Sequence, residues 1–555
     1  MAFFNYFSND ELESVLHDWQ QAFPGLAYVT KIGESFEKRP IWLLTLTNQV
    51  SGRDEDKPAV WLDANIHATE LTGTTVTLYI AQQLLENYGK DERITRLLDQ
   101  NTYYILPRIN PDGAALAMAA SPRFIRSGVR PYPYLDKQEG LHEEDIDHDE
   151  RILQMRIPDP NGDWKVSTMD PRLMEKRGPD EYGGDYFRLL TEGMLEAFDG
   201  LNIKEARSLA DLDFNRNFPF EWRPEGVQHG AGPYPASEPE IRAVVDFVSS
   251  HANINLAVTY HTFSGVILRP YSTKADDQMN TDDLWVYQKI GKRGSELTGY
   301  RSVSVYHDFL YHPKDVTTGA FDDWMYDHQG VFAFTIELWD LPTAAGIKDR
   351  KFIEWFRDHP HEQDVQILKW ADEHAPGKYI AWYPFDHQQL GKVELGGWDF
   401  LYTWRNPPPA LLEAEVTRNY PFALALGEML PRLAVKELKA SPLGGDAYHI
   451  NLVLENNGYL PTTTSQQGKS RAVKRPILVE ITVEEGMSLV QGKLKTELEH
   501  LEGRSNKFDV AQANSFSPTD NRVRAEWVVQ APKHGSLSMR VTCPRGGNLQ
   551  LKVDL

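Results

Sequence analysis

The sequence predicts an α/β fold, an open sheet with helices on both faces, followed by a smaller all-β sandwich. Three observations carry this. Before residue 375, apolar runs of strand length alternate with segments of helical period. Four polar clusters sit at, or just past, the carboxyl ends of such runs, the edge where open α/β sheets bind ligands. After residue 432 the apolar period falls to two.

Taken in order, residues 9–23 read as an amphipathic helix opened by Asn9-Asp10-Glu11. Ala59 to Leu62 is a strand. Val76, Ile80, Leu84 and Leu85 share one helical face, with Gly89 placed to end that helix. Tyr103 to Leu106, Leu256 to Val258 and Val331 to Ile336 are three further strands. Residues 128–205 interrupt the alternation. They are polar, carry turn chemistry at Pro158-Asp159-Pro160-Asn161-Gly162, and read as an insertion with small hairpins of its own. Their acidic run, His142 to Glu150, reads as a solvated face, because its spacing matches no known calcium loop. A helix is expected near 361–374. The expected organisation is an α/β unit over 1–375, a connecting segment over 376–431 with a helix at about 410–430, and a β-sandwich over 432–555. In the sandwich, Ile477, Val479 and Ile481, then Leu537, Met539, Val541 and Cys543, point one way. Cys543 is thus a small core hydrophobe.

Composition narrows the function. The chain has 555 residues, 41% apolar and 25% charged, and a formal charge of −22, which disfavours nucleic acid and anionic membranes as partners. A single cysteine excludes intrachain disulfides and cysteine-based metal sites. The N-terminus lacks a basic n-region and an apolar h-region, and no apolar run reaches 18 residues, so a cytoplasmic protein without membrane spans is expected.

The four clusters carry the chemistry. His67 and Glu70, three apart after the first strand, project to one side and can both reach one Zn²⁺, although His-x-x-Glu alone is common by chance. His261 follows another strand. Alone it reads as a structural histidine; as a third ligand it completes the two-His, one-Glu set of a hydrolytic zinc site. Asp213-Phe214-Asn215-Arg216-Asn217 offers amide and guanidinium donors suited to a carboxylate, with Asp213 able to orient a ligand histidine. Glu337 stands in an otherwise apolar strand, where burial would raise its pKa and suit it to take a proton from water.

Together with Pro107-Arg108-Ile109-Asn110-Pro111-Asp112-Gly113, Gly319 to Trp324 and the early Gly33-Glu34-Ser35 to Arg39-Pro40-Ile41 turn, these motifs resemble the zinc metallocarboxypeptidases of the carboxypeptidase A type, over about residues 8–375. The resemblance implies a mixed eight-stranded sheet and a Zn²⁺ held by His67, Glu70 and His261. It implies Glu337 as general base and Arg126 as the cation for the developing oxyanion. Asn215 and Arg216 then clamp the terminal carboxylate of a peptide substrate. Asp322 falls at the floor of the side-chain pocket, implying basic C-terminal residues. Two positions depart from the family. Thr69 replaces an Arg, and Asp315 stands where digestive members have a mobile Tyr, leaving Tyr311 as the nearby replacement. The enzymatic alternative is a relative acting on a non-standard amide, such as a cell-wall peptide or a side-chain-linked glutamate. The non-enzymatic one is an inactive peptide-binding module, against which stand the intact His67, Glu70, His261 and Glu337.

Overall fold

Eight strands make the central sheet of the computed structural model, which describes residues 5–555 other than 311, 313, 315, 472–474, 506–517 and 533–534. In chain order they are β1 (Ala27–Glu34), β2 (Pro40–Leu46), β3 (Ala59–Ala64), β4 (Thr102–Leu106), β5 (Ile254–Thr262), β6 (Val266–Arg269), β7 (Arg301–Ser304) and β8 (Phe332–Leu338). Their spatial order is β1-β2-β4-β3-β5-β8-β6-β7. The central run β4-β3-β5-β8 is parallel, while β1, β2 and β6 introduce antiparallel pairs, so the sheet is mixed. Every residue of β3, β4 and β5 is buried. A strand buried at both of its alternating sets of side chains must be covered on both faces. The helices α1 (Asn9–Ala22) and α2 (Thr72–Asn87) supply part of that cover, and their apolar residues join the strands in one core.

Helix α1 starts as its sequence dictates. Ser8 accepts from the Glu11 N–H and the Glu11 carboxylate accepts from the Ser8 N–H, a reciprocal cap. At Gly73, an added Cβ would come within 2.8 Å of the Ala64 Cβ and 2.9 Å of the Tyr260 Cβ. The missing side chain lets the start of α2 press onto β3 and β5.

The insertion is a sheet builder. Gly140–Glu143 and Gly193–Glu196 form a two-stranded ribbon. Four more of its strands join Tyr379–His387 and Gly391–Trp398 in a six-stranded sheet, with Gln154–Pro158 paired to Gly391–Trp398. The acidic run differs from expectation. Asp145 is buried and accepts from the N–H groups of Asp149 (3.2 Å) and Glu150 (3.0 Å), while Asp147 accepts from the Tyr383 hydroxyl. The carboxylates organise a turn against the neighbouring hairpin, so the run is only partly a solvated face.

The helix expected at 410–430 is two helices, Pro409–Thr417 and Tyr420–Met429. Pro421 in the first turn of the second has no N–H to continue the first. Residues after 432 form two four-stranded sheets enclosing one core, with Ile450, Leu452 and Leu454 from one sheet facing Ile477, Val479, Leu537, Met539, Val541 and the buried Cys543 from the other. This sandwich is tied to the central unit by Asp283, which accepts from the N–H groups of Gln466 (2.8 Å) and Gln467 (2.9 Å), and by Arg545, which donates to the Gly330 carbonyl (3.1 Å). Among the described residues, no helix is long and apolar enough to cross a membrane.

Candidate active site

The site grows from the carboxyl ends of β3, β5 and β8. After β3 the chain turns at Asn65, whose φ of 56° lies in the left-handed region that asparagine tolerates. The Asn65 amide donates to the His67 carbonyl (2.8 Å) and accepts from the Arg108 Nε (2.9 Å). Asn110 holds the same turn through the carbonyls of Ile66 and Ser127. The Ala68 N–H donates to the carbonyl of Arg126, bringing a second loop alongside.

These restraints bring His67 and Glu70 together, with their Nδ1 and Oε1 atoms 3.0 Å apart. His261, near the end of β5, places its Nδ1 3.1 Å from Glu70 Oε2 and 3.1 Å from His67 Nδ1. All three side chains are buried. The arrangement fits a metal ion. Two imidazole nitrogens and a carboxylate converge on one point, with spacings close to the roughly 3.4 Å between donors of a tetrahedral site with bonds of about 2.1 Å. The His67 Nε2 faces Asp213 Oδ1 at 3.1 Å, so its proton sits there and the Nδ1 lone pair is left for the centre.

Asp213 is a hub of charge. Its Oδ2 lies 2.9 Å from the Arg126 Nε and 3.7 Å from the Arg216 Nη2. Burial opposes its ionisation, but Arg126, Arg216 and His67 outweigh burial and hold the carboxyl well below the ordinary range. Arg126 also reaches Glu70 Oε1 at 3.3 Å. Asn215 accepts the Phe321 N–H at 2.8 Å, joining this loop to the helix Phe321–Asp327.

Glu337 sits beside His261 in the parallel β5–β8 register and is the only position of β8 that is not fully buried. Burial pushes its carboxyl up to about 7, and the charge of Glu70 acts in the same direction. Asp322 is 3% exposed and accepts from the Thr335 hydroxyl at 3.2 Å. Thr335 and Glu337 are two apart on β8, so they project from the same face. Asp323 turns elsewhere, accepting the Ser272 N–H on both oxygens. Burial pushes both carboxyls up. Tyr311 and Asp315 lie outside the described residues.

A family model described as zinc carboxypeptidase matches residues 12–169 and 195–391. This chain belongs to the zinc carboxypeptidase family. Carboxypeptidase A4 of Mus musculus is 26% identical to it over 390 residues, covering 64% of this chain and 72% of its own. Carboxypeptidase B2 of Bos taurus is 23% identical over 343 residues, covering 60% and 63%. Among solved structures, that of thrombin activatable fibrinolysis inhibitor aligns with a TM-score of 0.44 at 18% identity, covering 77% of this chain and 74% of that one. A second model, a domain of unknown function, matches residues 432–554.

As a member of that family it is a metal-dependent hydrolase, and the family uses Zn²⁺. The sequence-predicted His67, Glu70, His261, Asp213, Arg126, Arg216 and Glu337 are joined at one site through the contacts above. Two residues at that site escaped the sequence reading. Arg405 places its Nη1 3.7 Å from Glu70 Oε1, and the buried Asn406 amide bonds to Thr69 and Thr72. Their only local signal was the aromatic-rich stretch that precedes Pro407-Pro408-Pro409.

Proposed function

We propose that this enzyme is a carboxypeptidase in the strict sense, releasing the C-terminal residue of peptides that end in a free carboxylate, with a preference for basic residues. The observation that carries this reading is the position of Arg216 beside Asp213, one carboxylate away from Arg126 and the His–Glu–His cluster. A guanidinium so close to the cutting site selects a negative charge one residue beyond the scissile bond.

In this reading His67, Glu70 and His261 hold zinc, and Asp213 fixes the His67 ring. Zinc, when bound there, supplies a Lewis acid for the peptide carbonyl and lowers the pKa of water. Asn215 and Arg216 receive the terminal carboxylate and fix the peptide's register. Glu337, with a carboxyl near 7, accepts the proton of the attacking water and passes it to the departing amine. Arg126 donates to the carbonyl oxygen as negative charge collects on it. Asp322, buried on the Glu337 side of β8, gives a departing Lys or Arg a partner for its charge and penalises an apolar side chain. Tyr311 is assigned to substrate contact by family resemblance alone.

The test compares a peptide acid with the same peptide as its C-terminal amide. The wild type should cleave the acid far faster. Arg216→Ala should lose about 10–100-fold on the acid, the worth of a charge-assisted hydrogen bond of about 1.5–3 kcal/mol, and little on the amide. Equal cleavage of acid and amide by the wild type would sink the reading.

A further inference from the structure

Residues 392–431 lie between the two matched regions, and part of this stretch reaches into the site. The turn Leu401–Arg405 is followed by Asn406, which is fully buried. Asn406 Oδ1 accepts from the N–H groups of Leu71 (2.9 Å) and Thr72 (3.0 Å) and from the Thr72 hydroxyl (2.9 Å). Its Nδ2 donates to the carbonyls of Thr69 (2.7 Å) and Leu401 (3.0 Å). One amide therefore caps the start of α2 and fastens this strap to the residues flanking Glu70.

Fastened there, Arg405 has little choice of position. Its guanidinium lies 5.1 Å from the Phe263 ring and 5.6 Å from the Phe400 ring. Its Nη1 is 3.5 Å from the Thr262 carbonyl and 3.7 Å from Glu70 Oε1. The side chain is 24% exposed, so part of it is open to solvent.

The charges form a row: Arg216, Asp213, Arg126, Glu70, Arg405. Arg126 and Arg405 approach the same Glu70 oxygen. If Arg216 takes the terminal carboxylate, this row of contacts has a direction, and the residue upstream of the cut is assigned to its Arg405 end. Glu70 Oε1 also lies 3.3 Å from the Arg126 Nη1, so Arg405 is not its sole cation.

We propose that Arg405 is a substrate-binding residue for the position just N-terminal to the scissile bond, and that it favours an acidic side chain there. The proposal rests on the carboxypeptidase reading, which gives the row its direction. A planar guanidinium resting near two aromatic rings is preorganised and weakly hydrated, and it pairs with a carboxylate through two parallel hydrogen bonds.

The test uses the full-length, zinc-loaded enzyme and peptides identical except for Glu, Gln or Lys at the penultimate position. The wild type should show kcat/KM about 10-fold higher for Glu than for Gln, and lowest for Lys. Arg405→Gln should bring the Glu and Gln values within twofold, and Arg405→Lys should keep part of the difference. Affinity for the same intact peptides, measured by calorimetry in the Glu337→Gln background that cannot turn them over, should follow the same pattern, with zinc still at one ion per chain. Equal wild-type values for Glu and Gln, or an unchanged preference in Arg405→Gln, would overturn the proposal while leaving the acid-over-amide preference intact. Loss of zinc from both variants would make Arg405 a support for Glu70 and overturn it too. A wild type that cuts amides as readily as acids removes the row's direction and overturns both readings, a pattern distinct from the others.

Discussion

Glu240, in the first turn of the helix Pro239–Ser250, is 1% exposed. One carboxylate oxygen accepts the Phe36 N–H at 2.8 Å, and the other has no hydrogen-bond partner among the described residues. Burial, reinforced by the charges of Asp112 and Glu238, pushes the carboxyl from 4.5 up to about 7. Between those values the folded protein keeps a proton that the unfolded chain has released. The associated stability is complete below about 4.5 and is lost as pH rises through 7. At about 1.36 kcal/mol per pH unit the loss is slightly over about 3 kcal/mol. Glu240→Gln keeps an oxygen for the Phe36 N–H and never ionises. At pH 5 the variant and the wild type should melt within a degree of each other. At pH 8.5 the variant should be the more stable. An unfolding entropy of about 2.1 cal/mol/K per residue gives roughly 1.2 kcal/mol per degree for a chain of this size, so the expected gain in Tm is up to about 3 °C. Thermal melts followed by circular dichroism across pH 5–8.5 read this directly. A Tm difference independent of pH, or one favouring the variant most at pH 5, would refute the reasoning.

Glu337→Gln should keep the fold and one zinc per chain yet lower kcat by about 10²–10⁴, because a near-isosteric amide cannot take a proton; near-normal turnover in a stopped assay would count against its role. His261→Ala should lose stoichiometric zinc, measured by elemental analysis, together with activity; a variant that kept both would mean a different donor set. Wild type should cleave peptides ending in Lys or Arg with higher kcat/KM than those ending in Phe or Leu, and Asp322→Ala should narrow or reverse that gap; similar wild-type values for all four termini would remove Asp322 from specificity.

What the sequence made legible follows from local signals. His67, Glu70, His261 and Glu337 stand out because each is polar at or just past the end of an apolar run, and β3, β5 and β8 are long enough to register as such runs. Arg405 and Asn406 carry no such mark. Their meaning depends on Leu71 and Thr72, some 335 residues earlier, and nothing in the spacing of either segment foretells that contact. The six-stranded sheet is obscure for a related reason. Trp164–Val166 and Met174–Lys176 are three residues each, too short for an alternation to register. The break at Pro421 was readable, since proline within a helical run signals a boundary.

The pairing of Arg156 with Glu394, 238 residues apart, sets a schedule for biosynthesis. At roughly 5–20 residues per second, the strand Gln154–Pro158 waits about 12–48 s for its neighbour to emerge. Throughout that interval one side of a nascent ribbon is open to any other extended segment, which makes it a natural client for chaperones. The Asn406 cap on α2 arrives later still. The contact of Asn406 with the residues flanking Glu70 can therefore form only after nearly three quarters of the chain has been made.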